Sequence, residues 1–223
     1  MTDPVAHFSA PQSVAHYADN ARRLVPGLAD LHRMTLLLLS ETAPAAARVL
    51  VLGAGGGMEL KVFAENRPGW RFDGVDPAPA MLTLARDTLG SLMAQVTLHH
   101  GYVDSAPPGP FDAACCLLTL HFLPVEDRLR TLQSLHHRLK PGAPFVMAHH
   151  SFAQDAATRA LWTRRFAAYG TPLTTPIQPG PSPFDTLPVL SPEQDQNLLT
   201  AAGFTGVTQF YEAFTFRGWH GLA

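Results

Sequence analysis

This sequence has little cysteine, no net positive charge and no long apolar runs. Only two of its 223 residues are cysteines, and Cys115 and Cys116 are adjacent within an apolar segment. A disulfide between neighbours would be strained, so a fold stabilised by disulfides is excluded. Both are expected to be small buried residues of a strand.

The charge balance and the lengths of the apolar runs exclude further classes of protein. Sixteen Lys and Arg face eighteen Asp and Glu, a net charge of -2, so no overall positive field attracts a polyphosphate chain. Nucleic acid is therefore not the expected substrate, although local basic patches remain compatible with the composition. No stretch of about 20 apolar residues could span a bilayer. Residues 1–10 lack the basic start and apolar core of a signal peptide, so a cytoplasmic location is expected.

The length suits one α/β domain, and apolar runs alternate with helical patterns along it. Such alternation predicts a mostly parallel, doubly wound sheet with helices on both faces. The predicted strands are 48–52, 71–75, 96–100, 113–120 and 145–149, followed by a closing antiparallel pair at 204–210 and 212–219. The predicted helices are 13–25, 28–41, 58–66, 79–89, 125–139, 153–169 and one that begins after Ser191 with a capping box and ends at Gly203.

Residues 170–192 contain seven prolines, which rule out regular structure through most of the segment. Long loops without structure of their own are usually functional or disordered. Residues 170–190 are predicted to form a semi-rigid lid over the substrate, with Phe184 and Leu187 excluding water. The same domain is predicted to contain a helical cap at 1–45 and a cofactor-binding core at 46–152.

A glycine-rich loop, Gly53-Ala54-Gly55-Gly56-Gly57, directly follows the first buried strand. Glycines there let the backbone turn sharply and approach a ligand closely. A dinucleotide fingerprint needs a third glycine at the sixth position, which is Met58 here, so the spacing disfavours NAD. It suits S-adenosylmethionine, which has no pyrophosphate; the alternative is a tight turn without a ligand.

Asp76 ends the second strand, where an acid can accept hydrogen bonds from both ribose hydroxyls of an adenosine. Asp73 is the other candidate, but it lies inside the strand. Met81, in the first turn of the next helix, could pack on the adenine or simply fill the core.

The loop after the third strand, Gly101-Tyr102-Val103-Asp104, leaves two alternatives open. Either Asp104 binds the adenine amine, or the backbone of Tyr102 and Val103 reads the adenine edge and Asp104 is a surface acid.

His121 and His149 follow strands at the edge where such sheets bind ligands. Each is a candidate to orient a nucleophile or take its proton, with a structural role as the alternative. The paired histidines do not predict a metal site, because neighbours in a strand point to opposite faces.

Four motifs in order carry a resemblance to class I S-adenosylmethionine-dependent methyltransferases. Residues 50–57 resemble their first motif, 74–77 the ribose-binding motif, 110–114 with 118–123 the fourth-strand motif, and 139–142 the turn before strand five. The resemblance implies a Rossmann-like methyltransferase fold with a seven-stranded sheet whose last strand is antiparallel, and S-adenosylmethionine as cofactor. The implied cofactor-binding residues are Tyr17, Gly53, Ala54, Gly55, Gly57, Asp76, Pro77, Met81, Tyr102, Val103, Asp104, Leu117 and Leu118.

Within that class, residues 25–27 and 118–123 look most like the branch that contains carboxy-S-adenosylmethionine synthase. That branch has a tyrosine and an asparagine where this chain has Leu28 and Leu117. Plain methyl transfer to a small molecule is therefore expected, in a protein that could form a homodimer. The alternatives are a carboxy-cofactor synthase or another RNA-modifying enzyme, an NAD-dependent oxidoreductase, and a cofactor-binding protein without catalysis.

Overall fold

The computed structural model describes residues 4–172, 174 and 183–223. In this part of the chain one seven-stranded sheet has the order β3-β2-β1-β4-β5-β7-β6. The first five strands are parallel, and β7 runs antiparallel to both of its neighbours. The predicted fold class is confirmed. The strands are β1 Arg48–Leu52, β2 Arg71–Asp76, β3 Val96–His100, β4 Ala113–Leu117, β5 Pro144–His150, β6 Thr205–Ala213 and β7 Phe216–Leu222.

Helices cover both faces of the sheet. They are α1 Pro4–Ser9, α2 Pro11–Ala15, α3 Tyr17–Leu24, α4 Leu28–Ser40, α5 Met58–Asn66, α6 Pro79–Leu89, α7 Val125–Arg138, α8 Ala156–Tyr169 and α9 Pro192–Ala201. In the described ranges, no helix combines the length and the apolar character needed to cross a membrane.

Alternating side chains of β1 divide the core into two layers. Val49 and Val51 join α4 and α5 on one face, whereas Leu50 and Leu52 join α7 and α9 on the other. This is the period-two alternation of a strand buried on both faces. Cys115 and Cys116 follow the same rule and are buried free thiols, as predicted.

The N-terminal helices differ from the prediction. The single helix expected at 13–25 is two helices, because His16 (φ -106°, ψ 8°) leaves the helical conformation between α2 and α3. Pro11 begins α2 at a first-turn position that proline favours. The six-residue α1 was missed, since it is too short for a periodic apolar pattern.

Two strand boundaries were also wrong. The fourth strand ends at Leu117 and not at residue 120, because Leu118 adopts a φ of 55° and turns the chain out of the sheet. The closing pair begins and ends later than predicted, with Phe214 (φ 53°) in the turn between β6 and β7. Bulges in the pairing of these two strands weaken their alternating pattern.

The C-terminal part of the chain confirms the predicted capping box and places Phe184 and Leu187 in the core. The capping box of α9 is present, since the Ser191 hydroxyl accepts from the Gln194 N–H and the Gln194 side chain accepts from the Ser191 N–H. Of the predicted lid, residues 173 and 175–182 lie outside the described part of the chain. Phe184 is fully buried against Phe152 and Phe166, and Leu187 packs on the same core cluster, so both contribute to the core.

Candidate cofactor site

A cavity of about 570 Å³ lies at the carboxyl ends of the parallel strands. It is lined by the last residues of β1, β2 and β4 and by the loop after β3. The strand order reverses between β1 and β4, and open α/β sheets bind ligands at that point. The volume is that of a small-molecule site.

The glycine-rich loop lines this cavity, and two other side chains pack so close to its backbone that only glycine fits there. Gly53 has a φ of 78°, and a Cβ there would lie 1.9 Å from Oγ1 of Thr119, in the turn after β4. Gly55 has a φ of 47°, and a Cβ there would lie 2.9 Å from the Tyr17 hydroxyl. Any larger residue would clash and would strain the backbone.

Asp76 anchors the loop to the end of β2. It is 8% exposed, and its two oxygens accept the N–H groups of Gly55 and Ala78, each at 2.9 Å. Burial raises the pKa of Asp76, and these hydrogen bonds oppose the rise. Asp73 instead pairs with Arg48 at 2.8 Å and does not line the cavity. Asp76 is therefore the better of the two predicted ribose ligands.

Eleven of the thirteen predicted cofactor residues line the cavity: Tyr17, Gly53, Gly55, Asp76, Pro77, Met81, Tyr102, Val103, Asp104, Leu117 and Leu118. Ala54 and Gly57 are not among the described lining residues, and their contact with a cofactor stays a prediction. Ala54 is fully buried, and its N–H donates to the Val75 carbonyl at 3.0 Å. Gly57 faces α6, where an added Cβ would lie 3.1 Å from the Ala85 Cα. Both residues hold the glycine loop against β2 and α6.

The adenine end keeps both sequence alternatives open. Tyr102 is 56% exposed, Val103 is buried and Asp104 is exposed, and all three line the cavity. Met81 is almost fully buried yet also reaches the cavity wall, so it serves the core and the site together.

Neither candidate catalytic histidine is among the described residues that line the cavity, and a catalytic role for either stays a prediction. His121 and His149 are both buried. Nδ1 of His121 accepts from the His150 N–H at 3.4 Å, and burial lowers the pKa of His121 well below its usual value. Nε2 of His149 lies 3.1 Å from Oδ1 of Asp195, a carboxylate that also lies 3.5 Å from Arg128. The geometry favours structural roles.

Sequence reasoning missed two buried titratable side chains of the cavity wall. Glu59 is in the first turn of α5 and 7% exposed; burial, and to a smaller extent the charge of Asp76, raises its pKa to about 8. His32 on α4 is 5% exposed, and burial lowers its pKa to about 4. The position of Glu59 two residues beyond the glycine loop was an available signal. Nothing in the sequence distinguished His32 from a core histidine.

Aromatic residues close one side of the cavity. The Phe8 ring of α1 lies 5.4 Å from that of Phe122 and 6.2 Å from that of Tyr17, and all three line the cavity. Tyr17 lies against the glycine loop; burial, followed by the charges of Glu59 and Asp76, raises the pKa of its hydroxyl.

The cavity wall carries more acidic than basic side chains. Glu59 and Asp76 are buried, and in the described ranges neither forms an ion pair with a Lys or Arg. The lining residues that the structure describes include one Arg or Lys, Arg130, which is largely exposed and pairs with Asp127. Such a wall favours a positively charged ligand and disfavours a pyrophosphate.

Comparisons with known proteins agree with this geometry. Residues 50–145 match the family model described as a methyltransferase domain. A carboxy-S-adenosyl-L-methionine synthase of Chromohalobacter salexigens is 30% identical over 169 residues, which are 74% of this chain and 63% of that protein. The chain thus spans less than two thirds of that relative.

Solved structures share the fold at low identity. One is a chain of the Haloferax volcanii complex between the Trm112 methyltransferase activator and a putative methyltransferase, with a TM-score of 0.70, 16% identity and coverage of 100% of this chain and 99% of that one. Another is phosphoethanolamine N-methyltransferase 2 of Haemonchus contortus in complex with S-adenosyl-L-methionine, with a TM-score of 0.64, 16% identity and coverage of 90% and 43%.

The sheet order, the cavity at the reversal point and these matches define the class I S-adenosylmethionine-dependent methyltransferase fold, and the predicted resemblance is confirmed. Residues 50–145 are thus similar to a methyltransferase domain.

Proposed function

We propose that this chain is an enzyme that transfers a methyl group from S-adenosylmethionine to a small-molecule acceptor. The observation that carries the proposal is the cavity between the glycine loop and Asp76, with two buried carboxyl groups and no Lys or Arg paired with them in the described ranges. S-adenosylmethionine carries a sulfonium and an ammonium against one carboxylate, so its net charge complements this wall. The two phosphates of NAD would be repelled by it.

The residues present fit the cofactor in three places. Asp76 has lone pairs left for the ribose hydroxyls after accepting two N–H groups. The Tyr102–Asp104 segment would hold the adenine. Gly53 and Gly55 would let the methionine portion approach the backbone. When bound, the cofactor supplies a methyl group already activated by the sulfonium, so the protein mainly aligns a nucleophile and excludes water.

The acceptor would enter on the side of α1 and α4. Phe8, Leu28 and Phe122 line it with apolar surface, and His32 is the buried polar group among them. Its imidazole makes no hydrogen bond to any described residue and is neutral at pH 7, so it can accept one. These features support a largely apolar acceptor with an O–H or N–H group that would donate a hydrogen bond to the His32 imidazole.

A carboxy-S-adenosylmethionine synthase is the second candidate, since the relative in Chromohalobacter salexigens bears that name. An additional carboxylate on the cofactor would need a cationic partner in the cavity. Leu28 and Leu117 present apolar side chains there, and Arg130 is exposed and paired. Plain methyl transfer therefore suits this wall better.

Four further statements stay predictions: the single domain with its cap, core and lid, the cytoplasmic location, the homodimer, and a substrate other than nucleic acid.

The experiment that tests the proposal incubates the protein with methyl-labelled S-adenosylmethionine and a panel of apolar alcohols, phenols, amines and thiols. Mass spectrometry identifies labelled products. We expect a methylated phenol, alcohol or amine, and we expect His32→Ala to lower turnover at least about tenfold while leaving adenosylhomocysteine affinity within about twofold. Cofactor binding without any product would favour a non-catalytic protein. The incubation is repeated with carboxylic acids as carboxyl donors, and a carboxylated cofactor formed from one of them would favour the second candidate.

A further inference from the structure

Glu59 is a buried carboxyl group without a cationic partner in the described ranges, and it lines the cavity. A charged group in such a position destabilises a protein unless something compensates it. The titratable groups that act on Glu59 from the elements around it are Tyr17 on α3, Asp76 at the end of β2, and Cys115 and Cys116 on β4. None of them is a cation. In the free protein a proton neutralises Glu59, and a cationic ligand is the group that can replace that proton.

The position of Glu59 indicates which part of a ligand it would meet. It follows the glycine loop by two residues and lies close enough to Tyr17 and Asp76 for their charges to interact. Tyr17 in turn lies on Gly55 and Gly56. Glu59 thus belongs to the side of the cavity formed by the glycine loop.

We propose that the Glu59 carboxylate holds the positively charged methionine portion of S-adenosylmethionine. The assignment rests on the proposed function, because that cofactor is the cation in question. Either the sulfonium or the ammonium could be its partner, and both provide the same chemistry: a positive charge opposite a buried carboxylate.

A measurable consequence follows from the ionisation of Glu59. In the free protein burial favours its protonated form, and its pKa is about 8. A group with that pKa holds about 0.9 proton at pH 7, and an adjacent positive charge favours the ionised form. Cofactor binding at pH 7 should therefore release most of one proton to the buffer.

Isothermal titration at pH 7 in two buffers of different ionisation enthalpy measures affinity and proton release together. The ligands are S-adenosylmethionine and adenosylhomocysteine, and the proteins are the wild type, Glu59→Gln and Glu65→Gln. Glu65 is exposed on the same helix, so its variant is a matched control. We expect Glu59→Gln to bind S-adenosylmethionine at least about tenfold more weakly and to lose the proton release. Glu65→Gln should match the wild type in both.

The two ligands identify the partner charge. An equal loss of affinity for both would assign Glu59 to the ammonium, and a loss confined to S-adenosylmethionine would assign it to the sulfonium. If the folded Glu59→Gln variant keeps wild-type affinity and proton release, the assignment of Glu59 is overturned, while the proposed function still stands. If that variant does not fold, a release below about 0.2 proton by the wild type overturns it. A wild-type protein that binds neither ligand would contradict the proposed function, and this assignment with it.

Discussion

The two oxygens of Asp76 each accept a backbone N–H, from Gly55 and from Ala78, before any ligand is considered. The same carboxylate therefore fixes the glycine loop against the turn after β2 and faces the cavity. This explains why an acid is needed at the strand end and not at Asp73, three residues earlier, which pairs with Arg48.

Replacing Asp76 by Ala should weaken adenosylhomocysteine binding by at least about tenfold, since a hydrogen bond to a charged group contributes about 1.5 to 3 kcal/mol. The melting temperature should also fall, because two N–H groups lose their acceptor. Titration calorimetry and circular dichroism measure the two effects. Asp87→Asn, on the exposed face of α6, is the control. Unchanged affinity in a folded Asp76→Ala protein would remove Asp76 from the site.

The raised pKa of Glu59 also predicts a pH dependence of stability in the ligand-free protein. Its pKa rises from the ordinary 4.5 to about 8, so between these values the folded state holds a proton that the unfolded state has lost. The free energy of unfolding therefore falls as pH rises through this window. Glu59→Gln lacks this term, and its stability relative to wild type should grow by at least about 1 kcal/mol from pH 5 to pH 9. Urea unfolding at both pH values is the measurement, and a constant difference would contradict the shift.

Helix ends with strong local signals could be predicted from the sequence, and those without them could not. Pro79 at the first turn set the start of α6, and the Ser191 capping box set that of α9, because both act through neighbouring residues. The break at His16 carried no such signal. The end of β4 depends on Leu118 adopting a positive φ, a conformation imposed by the surrounding structure.

The capping box of α9 allows a test of element stability apart from the cavity. Ser191→Ala removes the hydroxyl that accepts from Gln194 and should lower the free energy of unfolding by about 1 kcal/mol. Affinity for adenosylhomocysteine should not change, because the cavity has no lining residue from α9. Ser191→Thr retains a capping hydroxyl and should lose less. Equal stability of the Ala variant and wild type in urea unfolding would show that the cap contributes nothing.

At the scale of the whole molecule, the alternation of strands and helices was enough to predict the sheet and the edge that binds a ligand. The wall of the cavity was only partly predictable. Leu117 and Leu118 are adjacent in the sequence at the end of the fourth strand, whereas Phe8, His32 and Glu59 come from three separate helices that folding brings together. Their burial and mutual charge effects arise only from that assembly, which no local pattern encodes.

The central claim is that this cavity takes the adenosylmethionine family of ligands and not a dinucleotide. A thermal unfolding scan with saturating adenosylhomocysteine, and a second with NAD at the same concentration, test it most directly. A ligand that binds only the native state at about 100 times its Kd adds about 2.7 kcal/mol of stability. For a chain of this size that predicts a rise of about 5 to 10 °C in melting temperature with adenosylhomocysteine and none with NAD. A rise in melting temperature with NAD alone, or no rise with either ligand, would contradict the account.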